Sequence, residues 1–112
     1  MKSKTSTEGK IHIGSRTTIF PQEVVYFKAD VNYTNILLSN GRKIMVAITL
    51  KKLQSRFENY PKLVRVSRSM VINIDCIFQH TDEAIILQNG EVFVASRRRR
   101  KEFFNLFAIN NN

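Results

Sequence analysis

The side chains best equipped for chemistry in this sequence are the cations of the run Arg97-Arg98-Arg99-Arg100-Lys101. Cations on neighbouring positions repel one another unless an anion neutralises them. The planar guanidinium fork suits phosphates and guanine edges. The run starts where the apolar segment Val92-Phe93-Val94-Ala95 ends, so part of it should project from one edge of the fold. The plainer reading is a solvated helix start. Cations at a helix N-terminus oppose the macrodipole, however, and a sequence that keeps them there points to a polyanion. A second candidate is Arg68, inside the polar triplet Ser67-Arg68-Ser69, and a third is the pair Lys51 and Lys52. For Arg68 the alternative is a solvated turn carrying an incidental surface arginine.

Other chemistry is missing. His12 and His80 have no metal-ligand spacing to a cysteine or a carboxylate pair, and Asp82-Glu83 read as solvated turn charges. Gly9, Gly14, Gly41 and Gly90 are isolated, so they form no glycine-rich phosphate loop. Cys76 is the only cysteine; among Ile74, Ile77 and Phe78 it reads as a small buried hydrophobe. We therefore expect no enzyme, cofactor, metal or small-molecule substrate. A net charge of +9 over 112 residues directs attention to nucleic acid, anionic lipid or an acidic protein as partner. No apolar run resembles a signal peptide or a membrane span, from which we expect a cytoplasmic protein without membrane insertion.

The elements that must position these cations are mostly strands. In Leu63–Ser67, Val64 and Val66 face one way and Arg65 and Ser67 the other. Alternation stops at Ser67-Arg68-Ser69 and resumes with Met70, Ile72 and Ile74 opposite Val71, which predicts two strands joined by a tight connection or a bulge. Further strands are expected over 11–14, 17–20, 23–29, 33–38, 43–47, 84–87 and 92–95, with 75–80 extended. Asn40-Gly41 and Asn89-Gly90 mark hairpin turns, and Asp30-Val31-Asn32 is turn-like. Leu50, Leu53 and Phe57 at i, i+3, i+7 predict an amphipathic helix of about two turns, capped by Thr49. Phe103, Phe104, Leu106 and Phe107 suggest a short C-terminal helix with Ser96 as cap. Strand spacing and little helix predict an all-β sandwich or barrel-like domain with one or two short helices. Residues 1–10 are too polar to bury and read as a disordered or linker segment, 11–109 as one domain, and 110–112 as a tail.

Taken in order, Asp30-x-Asn32-Tyr33-Thr34, Asn40-Gly41, the Leu50/Leu53/Phe57 helix, Arg65-Val66-Ser67-Arg68-Ser69-x-Val71-x-Asn73, Asn89-Gly90 and Val94-x-Ser96-Arg97-Arg98 resemble the LytTR DNA-binding domain. That domain is the output domain of bacterial LytR/AlgR/AgrA-type response regulators of two-component systems. The resemblance spans about residues 10 to 108, and it departs from the family pattern at Ser67, where the family usually carries histidine. It implies an elongated, mainly antiparallel β fold without a helix-turn-helix, whose loops enter successive major grooves of double-stranded DNA, often as a dimer on tandem promoter sites. By position it places Asn32, Tyr33, Thr34 and Asn35 in one contacting loop and Arg68 in a central loop beside Ser67 and Ser69. Arg98 matches a base-contacting arginine flanked by Arg97, Arg99 and Arg100.

From the residues themselves, Arg98 suits guanine O6/N7. Arg68, Lys51, Lys52 and the remaining arginines suit phosphates. Tyr33 opens an apolar strand and is equally compatible with core. Asn73 reads as a structural residue bonding backbone in a turn, and Phe103, Phe104 and Phe107 as core or a dimer surface. The competing function is a non-enzymatic basic module for RNA or another polyanion. RNA readers stack bases on exposed aromatics, whereas most phenylalanines here fall on apolar faces.

Overall fold

A computed structural model describes residues 9–14 and 16–110. The segment read as linker therefore lies outside the described residues except for Gly9 and Lys10, as does the tail beyond Asn110.

The centre is a five-stranded antiparallel sheet. It is built from β3 (Val24–Asp30), β4 (Tyr33–Leu38), β5 (Lys43–Val46), β6 (Leu63–Ser67) and β7 (Met70–Asn73), in the order β5-β4-β3-β7-β6. One face is covered by the hairpin of β1 (Ile11–Gly14) and β2 (Thr17–Ile19) together with helix α1 (Leu50–Arg56). Against the other face packs a second sheet, β8 (Ile77–His80), β9 (Ala84–Leu87) and β10 (Val92–Val94) in the order β10-β9-β8, with helix α2 (Arg97–Asn110). The all-β, mainly antiparallel, elongated architecture is as expected, with extents of 46 × 34 × 24 Å. Among the described residues barrel-like closure does not occur: the three sheets are open, and the central one is covered on both sides.

Two-sided burial explains the apolar runs. In β7 Met70 and Ile72 enter one core, Val71 the other, and Asn73 is buried with them. In β3, Val24 and Phe27 face α1 while Val25 and Tyr26 face the second sheet, because a register shift between Val24 and Tyr26 breaks the period of two. Asn73 donates from Nδ2 to the Val24 carbonyl (2.9 Å) and accepts the Asp75 N–H (2.9 Å). It thereby caps a short 3₁₀ turn, Ile74–Cys76, inside the stretch expected to be extended. That cap is the structural backbone role anticipated for Asn73.

Both α-helices begin as the sequence indicates. Thr49 Oγ1 accepts the Lys52 N–H (3.2 Å), and Leu50, Leu53 and Phe57 are buried. Ser96 Oγ accepts the Arg99 N–H (3.3 Å). Helix α2 is held by fully buried Phe103 and by Phe104, whose ring stacks on His80 at 4.2 Å. Full burial of a phenylalanine stabilises by about 1.5–3 kcal/mol, which anchors the helix whose first turn carries the arginine run. The side chains of Leu106 and Phe107 lie outside the described residues.

Candidate nucleic-acid interface

Antiparallel pairing brings one end of the central sheet together from distant parts of the chain. β3 ends at Asp30 and β4 returns at Tyr33, so the turn Val31-Asn32 projects there. β7 begins at Met70 opposite Lys28, which sets the turn Arg68-Ser69 beside it. The Ala29 N–H donates to the Ser69 carbonyl at 2.8 Å and fastens the two turns together. β5 ends at Val46 opposite Thr34, so α1 also starts at this end and exposes Lys51 and Lys52 in its first turn. The Ser96 N–H donates to the Val66 carbonyl at 2.9 Å, bringing the start of α2 to the same edge.

The expected site residues do not all reach the surface of this end. Asn32, Lys51, Lys52, Arg68, Ser69, Arg97 and Arg98 are exposed, and Tyr33 is 48% exposed, which removes it from the core. Ser67 is half-buried, with Oγ accepting the Ser69 N–H (3.3 Å) in the turn. Arg99 and Arg100 are half-buried along α2, and Arg100 Nε is buried without a hydrogen-bond partner among the described residues. Asn35 is half-buried on the face where Lys28 and Met45 also lie. Thr34, placed in the contacting loop by resemblance, is 0% exposed. Its Oγ1 donates to the Ile48 carbonyl at 2.6 Å. The side chain following Tyr33 on a strand must turn to the opposite face, and here that face is the core under α1.

The electrostatics of this end are one-sided. Among the described residues the ion pair is Lys62–Asp75 (2.8 Å), at the other end of β6 and β7. Arg68, Arg97 and Arg98 thus stand exposed with no carboxylate at ion-pair distance among the described residues. Asp30, at the root of the first turn, adds one acidic group nearby. Glu83, whose carbonyl accepts the Ala95 N–H at 3.2 Å, brings a second acidic residue close to the start of α2. Lys51, Lys52, Arg68, Arg97 and Arg98 outnumber the two, so the net charge of this end is positive, which attracts polyanions over about a Debye length.

Two residues that sequence reasoning passed over belong to this end. Val31 sits at the tip of the first turn with φ +56 and is 91% exposed. A β-branched residue in the left-handed region is strained. Arg65, read only as an outward strand residue, reaches over the second turn. Its Nε donates to the Ser67 carbonyl (2.8 Å), Nη2 to the Arg68 carbonyl (2.6 Å) and Nη1 to Gln54 Oε1 (3.3 Å). Burial, and then neighbouring Arg99, lower its pKa from the ordinary arginine value. The signal available in the sequence was an arginine two residues before a polar turn.

No group of three or more His, Cys, Asp or Glu side chains suited to hold a metal occurs among the described residues. Burial, with Asp75 alongside, raises the Cys76 thiol pKa and keeps it a poor nucleophile. No helix among the described residues is long and apolar enough to cross a membrane.

Residues 14–108 match the family model of the LytTr DNA-binding domain. Among solved structures, the chain is similar to the LytTr DNA-binding domain of a Bacillus cereus protein described as a methyl-accepting/DNA response regulator. Identity is 17%, the match covers 88% of this chain and 94% of that one, and the TM-score is 0.64. The search of curated proteins found no match.

Proposed function

The chain belongs to the LytTR family of DNA-binding domains, and from that membership we propose that it reads specific double-stranded DNA sequences as the output domain of a bacterial transcriptional regulator. The observation that carries the finer reading is the convergence of two turns and two helix starts, with unpaired exposed cations, on one end of the central sheet. The family is one of DNA-binding domains and not of enzymes, and the protein regulates transcription.

In this reading the turns enter successive major grooves. Arg98, exposed in the first turn of α2, takes a guanine edge through its bidentate fork. Arg68, Arg97, Lys51 and Lys52 take phosphates, with Arg99 and Arg100 reaching alongside from their half-buried positions. Asn32 and Tyr33 contribute from the first turn, Ser69 from the second, and Asn35 and Ser67 from behind them. Thr34 supports this surface from inside and is left out of it. The protein acts in the cytoplasm as a dimer on tandem sites, downstream of a response-regulator signal.

The test is selection of duplex fragments from a random pool, followed by fluorescence anisotropy across a salt series. Enrichment of one repeated motif, bound about 10³-fold or more above random duplex, supports the reading. Arg98→Ala should then cost about 1–3 kcal/mol and relax preference at one base position. Lys52→Ala should weaken all sequences alike and reduce the salt slope by about one. Steeply salt-dependent binding that is blind to sequence would reduce the protein to a polyanion binder.

A further inference from the structure

The turn carrying Arg68 is not held by the β ladder alone. The register of β6 against β7 shifts between Arg65, opposite Val71, and Ser67, opposite Met70. A bulge of this kind disrupts the ladder locally and leaves main-chain groups in need of partners. The skipped residue, Val66, has its carbonyl taken by the Ser96 N–H at 2.9 Å. The turn beyond it is held by Arg65: two nitrogens of one guanidinium donate to the carbonyls of Ser67 and Arg68, at 2.8 and 2.6 Å. A third reaches Gln54 of α1 at 3.3 Å. Its charge also lies near Arg99 in the first turns of α2. Arg65 therefore touches or faces the second turn and the helices on both sides of it.

We propose that Arg65 is a positioning residue: its guanidinium fixes the Ser67–Ser69 turn in the shape that presents Arg68 to DNA. The inference rests on the proposed DNA-reading function of this end. A guanidinium can do this because its donors lie in one plane at fixed spacing, so one side chain spans two successive carbonyls. A lysine keeps the charge but concentrates its donors on one flexible nitrogen and does not reproduce the fork. Because three of its donors are engaged within the protein, Arg65 serves DNA binding through the neighbour it orients.

The experiment is a double-mutant cycle on the full chain with Arg65→Met, Arg65→Lys, Arg68→Ala and Arg65→Met/Arg68→Ala. Each variant's affinity is measured on the selected duplex across a salt series, below its own unfolding transition. If Arg68 meets a phosphate, Arg68→Ala lowers the salt slope by about one. The expected result is that Arg65→Met lowers affinity and slope by nearly as much, and that the double variant falls no more than about twofold below Arg68→Ala, because contacting residues are non-additive. Arg65→Lys should fail to restore either quantity. Full additivity with Arg68→Ala overturns the proposal, as would rescue by Arg65→Lys, which marks Arg65 as a phosphate contact in its own right. A silent Arg65→Met, or an equal loss of Tm and of affinity in both Arg68 backgrounds, leaves Arg65 purely structural and also overturns it. Failure of the wild-type chain to prefer any duplex defeats the DNA reading itself. Normal wild-type selectivity with an additive cycle defeats only the role of Arg65.

Discussion

Thr34→Val separates the two roles that Thr34 could have. The substitution keeps shape and branching while removing the hydroxyl. Thr34 is fully buried, and its Oγ1 donates to the Ile48 carbonyl at 2.6 Å, tying the root of the first turn to the segment that leads into α1. A net hydrogen bond contributes about 0.5–1.5 kcal/mol, and an acceptor orphaned in the interior costs about 1–3 kcal/mol. Ile48 is only half-buried, so its carbonyl can recruit water, and the expected loss is at the lower end, about 1–2 kcal/mol. For a domain of this size each kcal/mol moves Tm by roughly 3–6 °C, interpolating between smaller and larger domains. Thr34→Val should therefore melt about 3–12 °C lower. Thr34→Ser keeps the bond and loses one buried methyl, about 0.8 kcal/mol plus a small cavity term. The assay is thermal and urea unfolding of wild type and both variants, with duplex affinity measured well below each transition. Affinity of the folded variants should stay within about twofold to threefold of wild type, equivalent to less than about 0.7 kcal/mol. A Thr34→Val protein as stable as wild type but at least tenfold weaker on DNA would refute the reasoning and return the hydroxyl to the interface.

Three other outcomes follow from named contacts. Asn73→Ala strips partners from the Val24 carbonyl and the Asp75 N–H at once, and should cost about 2–4 kcal/mol in urea unfolding with little change in m-value; a loss below about 0.5 kcal/mol would show that water replaces the amide. Tyr26 donates to Glu91 Oε2 at 3.2 Å, and burial, then the Glu91 charge and bond, raise its pKa above the ordinary 10.0. The group favours its protonated form in the fold, so its contribution is complete below the unfolded value and is lost as pH rises through the higher folded one. Between pH 9 and 11 the urea midpoint of wild type should accordingly fall more steeply than that of Tyr26→Phe, and parallel slopes would count against the assignment. Val31→Gly removes a β-branched side chain from φ +56 on an exposed tip and should stabilise by about 1 kcal/mol; a lower Tm would mean that Val31 is not strained.

What could be read in the sequence, and what could not, divides along the range of the interaction. Val64 and Val66 against Arg65 and Ser67, the caps Thr49 and Ser96, and the turn at Arg68 are set by neighbours within a few residues, and each stands where the pattern predicts. The burial of Thr34 is set by Ile48, and the adjacency of the two turns by β3 pairing with β7, more than 40 residues away. Period-2 reading also fails where both faces of a strand are covered, because an apolar run then carries no phase, and a bulge such as that at Val24/Tyr26 reverses it unannounced. Arg65 escaped notice for a related reason. Alternation reports that a side chain leaves the core but is silent on what it meets, and two of its partners are main-chain carbonyls without a residue signature. The strongest local signals, Asn40-Gly41 and Asn89-Gly90, close hairpins at the end of the sheets away from Arg68 and Arg98. Good turn chemistry therefore marks where the chain reverses and carries no information on the end proposed to bind DNA. The end proposed to bind DNA was marked by charge: its exposed Arg68, Arg97 and Arg98 have no carboxylate at ion-pair distance among the described residues, so they add little to the stability of the fold, and a polyanionic partner would account for them.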